Sequence, residues 1–351
     1  MQAPGRGRGD RQRVRPVQVI GLRARTACPA SRRRRGARTA TAVAVLLAVA
    51  GCSSGSGEPG RSASAPVPDV SAIPRLVTAA NSSLPIDPYL LTNDQADRLD
   101  AAQRTLVERC MNRFGITYRP PDPVTPFRPR TRTQYRYGVT DPAEAARYGF
   151  APPGSPRTPP PPPAPPPSLS AEAGVVLTGT DDPKAKPGSG AAKGGQRVGG
   201  RTVPAGGCLG EARAALRTDG AEAGGDAPVA DRINAGSFEK AKRDPRVAGV
   251  LARWADCMKQ RGFASYGDPL QASGDPAWRT PRPSAKEREA ATADARCKEE
   301  HNVVGAWFTV DAAYQRREIE RNAKELAAVK AELDARQERA VAALGALPPE
   351  P

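Results

Sequence analysis

Cys52 is the residue of this sequence whose surroundings point most directly to a chemical reaction. It follows the small residues Ala50 and Gly51, at the end of an uncharged run of Ala, Val, Leu and Thr from Thr39 to Ala50. Small residues let a chain lie extended in a peptidase, and a thiol at the next position is the nucleophile for transfer of a diacylglyceryl group. The stretch Val49-Ala50-Gly51-Cys52 therefore looks like a bacterial lipobox and predicts lipidation of Cys52.

Residues 1–51 have the three-part layout of an export signal, with an arginine-rich start, an apolar run and a cleavage site. The apolar run has about a dozen residues, whereas a membrane-spanning helix needs about 20. We expect a lipoprotein signal peptide over 1–51, a flexible tether over 52–83, and a cell-membrane protein anchored by lipid on the extracytoplasmic face. An ordinary cleaved secretory signal is the alternative.

The net charge of +16 invites a nucleic-acid interpretation, but its distribution argues against one. Residues 1–51 contain 12 arginines and one acidic residue, so the remaining 300 residues carry a net charge of only +5. The excess of positive charge belongs to targeting. We expect no nucleic-acid partner.

Four cysteines remain if Cys28 is removed with the signal peptide and Cys52 is lipidated. An even number of cysteines in an oxidising compartment favours disulfides. The order of motifs repeats: Cys110 and Cys257 are each followed by Met, with Gly five residues after the Cys, and Cys208 and Cys297 each have Glu three residues later. We therefore predict Cys110–Cys208 and Cys257–Cys297. A zinc site of four thiolates lacks the usual close spacings, and no Cys-x-x-Cys redox motif occurs.

The mature chain is predicted to be all-α, with disulfide-stapled helical units, a long C-terminal helix and disordered Pro/Gly-rich segments. An N-terminal helical unit over 84–150 contains a helix from Thr92 or Asn93 to Phe114, ended by Gly115. Eleven prolines between 151 and 167 and a Gly-rich stretch after them predict a disordered insert over 151–200, with one helical turn at 170–177. A C-terminal helical unit covers 201–351, and its last helix is expected to run from Ser284 to about Leu344.

Residues for catalysis are scarce. The chain has a single histidine, His301, expected in mid-helix and either packed or facing solvent, and no Gly-x-Ser-x-Gly motif accompanies it. We expect no metal and no cofactor. Two carboxylates near aromatic residues are the candidates for a wall-acting hydrolase, namely Asp268 and Asp275, close to Tyr266 and Trp278. Trp254, Trp278 and Tyr266 are the aromatic candidates for a solute- or wall-polymer-binding lipoprotein.

The leading functional hypothesis is a non-enzymatic interaction or scaffold protein of the cell envelope. It rests on the long last helix, where Ile319, Leu326, Val329 and Leu333 form a narrow apolar stripe. Such a helix can pack on its own domain, project as a solvated arm or pair with a partner helix. We expect an envelope protein to dock on the 310–345 helix, with a coiled coil as one possible mode. The binder and the hydrolase are the two alternatives.

Several motifs together resemble a family of uncharacterised exported lipoproteins of high-GC Gram-positive (actinobacterial) bacteria. They are Cys110-Met111 to Gly115, Gly206-Gly207-Cys208-Leu209-Gly210-Glu211-Ala212, Trp254 to Gly262, and Cys297 through Asn302 to Tyr314. The similarity spans roughly residues 84–150 and 200–335. The resemblance implies an exported lipoprotein and carries over no catalytic residue.

Overall fold

The computed structural model describes residues 67–121, 127–157, 169–182, 184, 192–217 and 227–345. These residues are mostly helical, as predicted. The helices are α1 Asn93–Arg113, α2 Pro142–Tyr148, α3 Ala171–Thr178, α4 Gly207–Ala215, α5 Pro228–Arg243, α6 Pro245–Gln260, α7 Pro269–Ser273, α8 Ala285–Glu300, α9 Val303–Arg321 and α10 Ala323–Gly345. Two short antiparallel strands, β1 Arg197–Val198 and β2 Arg201–Thr202, form a hairpin. None of the described helices combines the length and apolar composition needed to cross a membrane.

The beginning and end of α1 follow the sequence signals. Thr92 and Gln95 form a reciprocal capping box, in which each side chain accepts a hydrogen bond from the other residue's backbone N–H. At the other end Gly115 takes a positive φ of 72°, which closes the helix at little steric cost because glycine has no Cβ.

The last helix is not continuous, which corrects the prediction of one helix from Ser284 to Leu344. It is divided into α8, α9 and α10, with the first break at His301–Asn302 and the second at Asn322. Asn302 has φ 51° and ψ 41°, the left-handed conformation, so the helix cannot pass through it. His301 therefore lies at the end of α8 and not in mid-helix.

The largest core lies between α5, α6, α8 and α9, and the loop-rich segment around α2 covers it. Trp254 of α6 and Trp307 of α9 are fully buried there. The rings of Trp307 and Phe238 stack at 4.8 Å between centroids, and such aromatic contacts stabilise beyond simple area burial by about 1 kcal/mol. α2 also packs on α8, so helices of the predicted 84–150 and 201–351 units share one core.

α10 packs along α1 rather than standing free. Leu326, Leu333 and Ala340 are its buried residues, and Ala340 shares a small core with Leu99 and Ala102 of α1. Polar contacts reinforce the pairing, because Arg98 donates to Gln337 at 2.9 Å. The start of the predicted docking helix, residues 310–315, is buried within α9.

Part of the predicted tether is bound to the body. Residues 67–83, which we call the strap, run without helix or strand across the junction of α8 and α9, and Ala79 is buried in the main core. A tether over 52–83 was predicted because the segment consists mainly of Ser, Gly, Ala and Pro with scattered charge. Its hydrogen bonds go instead to side chains far along the chain, which local composition does not reveal.

Two described elements lie inside the predicted disordered insert. α3 and the β-hairpin fall within 151–200, and Val176 and Val198 are buried against Cys110 and Cys208 in a second core. The expected helical turn at 170–177 is thus a two-turn helix with Ser170 as its cap. The proline run 159–163 lies outside the described residues.

Candidate functional site

The cysteine pairing is the one predicted from the repeat. Cys110 is bonded to Cys208 and Cys257 to Cys297, with Cα–Cα distances of 5.5 and 5.9 Å. All four are buried. Cys52, the predicted lipidation site, lies outside the described residues.

Asp268 and Asp275, the carboxylates considered for hydrolysis, both cap helices, namely α7 and the short 3-10 helix Pro276–Trp278. Asp268 accepts hydrogen bonds from the N–H groups of Leu270 and Gln271 at the start of α7 and pairs with Lys242 at 2.8 Å. Asp275 accepts from the N–H of Ala277 and from the Tyr266 hydroxyl at 2.7 Å. Burial and the neighbouring Asp275 carboxylate raise the pKa of Tyr266 to about 12. Both carboxylates are thus engaged in holding local structure.

The aromatic residues proposed for ligand stacking face inward. Trp254 is fully buried and donates its indole N–H to Asp294 at 3.0 Å. Trp278 is 9 % exposed and donates to the carbonyl of Ala272 at 2.7 Å. Tyr266 is half-buried against the same core. A ligand at the surface would not reach the two tryptophan rings.

His301 lies beside Glu300 and Cys257, and these three are the described residues whose ligand atoms come close enough to share a metal ion. The Cys257 sulfur is bonded to Cys297, so it offers no thiolate, which is the form of cysteine that binds metals. In addition, Arg261 pairs with Glu300 at 3.2 Å and occupies the carboxylate. The group does not make a metal site while the disulfide is intact.

A cavity with three arginines in its wall is, among the described residues, the surface feature best suited to a ligand. It has a volume of about 430 Å³ and lies where the end of the strap, the start of α1 and the loop segment 128–132 meet. The lining residues are polar or positively charged in the majority: Asn81, Ser82, Ser83, Asp87, Leu90, Leu91, Thr92, Asn93, Arg128, Pro129, Arg130, Thr131 and Arg132.

Hydrogen bonds hold the walls of this cavity together. The Thr131 hydroxyl donates to the carbonyl of Ala80 at 2.6 Å, and the Thr133 hydroxyl to that of Ser82 at 2.7 Å. The Asn93 amide donates to the carbonyl of Pro129 at 2.8 Å. These bonds tie the segment 128–132 to the strap on one side and to α1 on the other, so the cavity is formed in the free protein.

Three arginines lie within five residues of a segment that bends at Arg130 and Thr131. Arg128, Arg130 and Arg132 all line the cavity. Arg128 pairs with Asp97 at 2.5 Å. Arg132 donates to the carbonyl of Leu91 and contacts Asp87 at 3.4 Å. Arg130 has no carboxylate partner among the residues that the structure describes.

A second depression, of about 540 Å³, is shallower and lies beside the Cys257–Cys297 disulfide. Arg261, Arg288 and Arg296 line it together with Glu289 and Phe263. Two of its arginines are already bonded, because Arg261 pairs with Glu300 and Arg288 donates to the carbonyl of Pro283 at 2.7 Å. Its open shape gives a ligand less surface to bury than the cavity at 128–132.

Comparison with known proteins identifies no relative: no family model matches the chain, and neither a curated protein nor a solved structure does. The resemblance to exported lipoproteins of high-GC Gram-positive bacteria therefore stays a prediction from motifs. The cavity at 128–132 was missed at the level of sequence, although three arginines in the five residues Arg128-Pro129-Arg130-Thr131-Arg132 are a local signal of concentrated positive charge.

Proposed function

We propose that the protein is a lipid-anchored binding protein at the outer face of the cytoplasmic membrane, and that the cavity at 128–132 binds an anionic group of an envelope ligand. The observation that carries this proposal is Arg130, a guanidinium on the wall of a formed cavity with no carboxylate partner among the described residues. The lipid anchor on Cys52 and the exported location remain the predictions made from the signal sequence.

The arrangement of charge favours binding. Asp97 and Asp87 hold Arg128 and Arg132 in place, so little side-chain freedom is lost when a ligand enters. Arg130 is then the group left to pair with the ligand. Guanidinium groups suit phosphate and carboxylate because their N–H donors form two parallel hydrogen bonds with two oxygens.

The size of the cavity limits the ligand. A volume of about 430 Å³ is in the range of small-molecule sites and fits a phosphorylated polyol or one unit of an acidic wall polymer. The single carboxylate that lines the cavity, Asp87, accepts the N–H of Leu84 at 2.8 Å and pairs with Arg132. Its engagement supports a binding role over acid or base chemistry.

The test is calorimetric titration of the mature protein with glycerol phosphate as the phosphate probe and a muropeptide as the carboxylate probe. Arg130→Ala should weaken binding by about tenfold or more, because a hydrogen bond to a charged group contributes about 1.5–3 kcal/mol. Arg232→Ala removes an exposed arginine of α5 outside the cavity and is the matched control. Absence of binding by both probes, or equal affinities of the two variants, would overturn the proposal.

A second candidate is docking of an envelope protein on the last helix. The packing of α10 on α1 restricts this surface to the outer face of α10, where Val341 is 56 % exposed. Deleting α10 would expose Leu326 and Leu333, so truncation is a poor test. Val341→Asp leaves the buried face intact and should abolish crosslinks between α10 and a membrane protein on intact cells. Unchanged crosslinks, or links only within the chain, would contradict docking.

A further inference from the structure

Hydrogen bonds and one close approach, most of them to backbone groups of the strap, attach the strap to the helices α8 and α9. The Asn302 side chain accepts the N–H of Leu76 at 3.0 Å and donates to the carbonyl of Pro74 at 3.0 Å. Arg75 donates to the carbonyl of Glu299 at the end of α8. A Cβ on Gly305 would lie 2.2 Å from the Pro74 carbonyl oxygen, so this position must be glycine for the strap to approach.

The strap divides its apolar side chains between the body and the surface. Val70, Leu76 and Ala79 pack in or against the main core. Val67, Ile73 and Val77 are 53 %, 37 % and 45 % exposed. These three are the majority of the five large apolar side chains that are exposed among the described residues. The exposed side of the strap therefore carries most of the large apolar side chains that the described residues leave open to solvent.

We propose that the outer side of the strap, formed by Val67, Ile73 and Val77, lies against the lipid bilayer. The inference rests on the proposed lipid anchor. Fifteen residues lead from Cys52 to Val67, and a chain of that length reaches about 50 Å at most. The end of the strap nearest the anchor is thus held at high effective concentration next to the membrane. At that concentration, weak apolar contacts are enough to keep the strap on the bilayer.

The charges of the strap indicate whether its contact with the bilayer is apolar or electrostatic. Asp69 and Arg75 are both exposed on the strap and carry opposite charge, so they cancel in their attraction to anionic lipid. The contact is apolar, in the manner of interfacial segments that place aliphatic side chains at the boundary of headgroups and acyl chains. Its strength should change little between low and high salt, unlike that of a polybasic segment.

The experiment uses the full-length lipidated protein in vesicles of phosphatidylglycerol and phosphatidylethanolamine that contain brominated acyl chains. Ile73→Trp places a fluorophore on the strap, and Val341→Trp places one on an exposed apolar position of α10 as the control. The three native tryptophans are buried and give a constant background. We expect a blue shift and loss of emission for Ile73→Trp, with equal loss at low and high salt, and an unchanged emission for Val341→Trp.

Flotation of the same vesicles separates the two proposals. If the protein floats and Ile73→Trp emission is unquenched, the anchor stands and the strap proposal is overturned. If the protein does not float, the anchor fails and the strap proposal fails with it. Val67→Trp is a second strap variant, and circular dichroism confirms that each variant is folded. Quenching that vanishes at high salt would also contradict an apolar contact.

Discussion

The two disulfide-stapled helix pairs, α1–α4 and α6–α8, share one local construction. In each, a buried Met follows the first Cys, and its carbonyl accepts the N–H of the residue five positions later, Ile116 at 3.2 Å and Phe263 at 2.9 Å. Between them lies a glycine of positive φ, Gly115 or Gly262. This is a helix C-terminus closed by a left-handed residue.

An ion pair flanks each disulfide in the same manner. Arg113 pairs with Glu211 at 2.5 Å beside Cys110–Cys208, and Arg261 pairs with Glu300 at 3.2 Å beside Cys257–Cys297. The glutamate is three residues after the second Cys in both cases. The faint sequence repeat is therefore a repeat of three-dimensional structure.

The surroundings of the two pairs differ. The core around Cys110–Cys208 is built from small and medium side chains such as Val107, Val176 and Ala212. The core around Cys257–Cys297 contains the three tryptophans and a buried ion pair between Lys298 and Asp294 at 2.6 Å. Burial raises the pKa of Asp294, although Lys298 acts in the opposite direction. The Cys110–Cys208 disulfide therefore joins helices that share only a small core, whereas the Cys257–Cys297 disulfide lies within the main core.

The largest effect is expected from removing the disulfides. The chain-entropy argument gives about 4.7 kcal/mol for the 98-residue separation of Cys110–Cys208 and about 3.9 kcal/mol for the 40-residue separation of Cys257–Cys297. The small core around the first adds to this difference. Cys110→Ser/Cys208→Ser should therefore lower the free energy of unfolding in urea more than Cys257→Ser/Cys297→Ser. A larger loss of unfolding free energy for Cys257→Ser/Cys297→Ser would contradict this difference between the two helix pairs.

The buried ion pair distinguishes the second staple and can be tested next. Asp294→Ala leaves the Lys298 ammonium buried without a counter-charge and should cost about 3–5 kcal/mol in unfolding free energy. Asp294→Leu combined with Lys298→Met removes both charges and should recover most of this loss. Asp256→Ala, at an exposed position of α6, is the control. A double variant as unstable as Asp294→Ala would contradict the assignment.

The two cap glycines test whether the local construction is equivalent. A Cβ on Gly115 or Gly262 meets nothing within 4 Å, so only the backbone strain of a positive φ remains, about 1–2 kcal/mol. Gly115→Ala and Gly262→Ala should lower the unfolding free energy by similar amounts in thermal or urea denaturation. A difference larger than the strain itself would show that the caps are not equivalent.

The smallest effect is expected at the flanking ion pairs. Both are largely exposed, and exposed pairs contribute about 0–1 kcal/mol. Glu211→Gln and Glu300→Gln should each lower the unfolding free energy by less than about 1 kcal/mol, and added salt should reduce the loss. A larger, salt-independent loss at either glutamate would mean that it has a further structural role.

Short motifs were the reliable signals in the sequence. The caps of α1 and the repeated motifs behind the cysteine pairing were found, whereas the single helix predicted from Ser284 to Leu344 is divided at Asn302 and Asn322. The strap and the cavity at 128–132 depend on contacts between residues more than 50 positions apart, such as Thr131 with Ala80. One local signal was overlooked: Asp268-Pro269 and Asp275-Pro276 have the pattern of a cap followed by proline at the first helical position, which indicates helix starts rather than catalysis.

The most direct test of the account is the intact mass of the protein extracted from membranes without reduction. We predict a chain that begins at Cys52, carries a diacylglyceryl group and contains two disulfides, and we predict that Cys52→Ser releases the protein from the membrane. A chain that begins elsewhere, or a Cys52 without lipid in a protein that still sediments with membranes, would contradict the anchor on which both proposals depend.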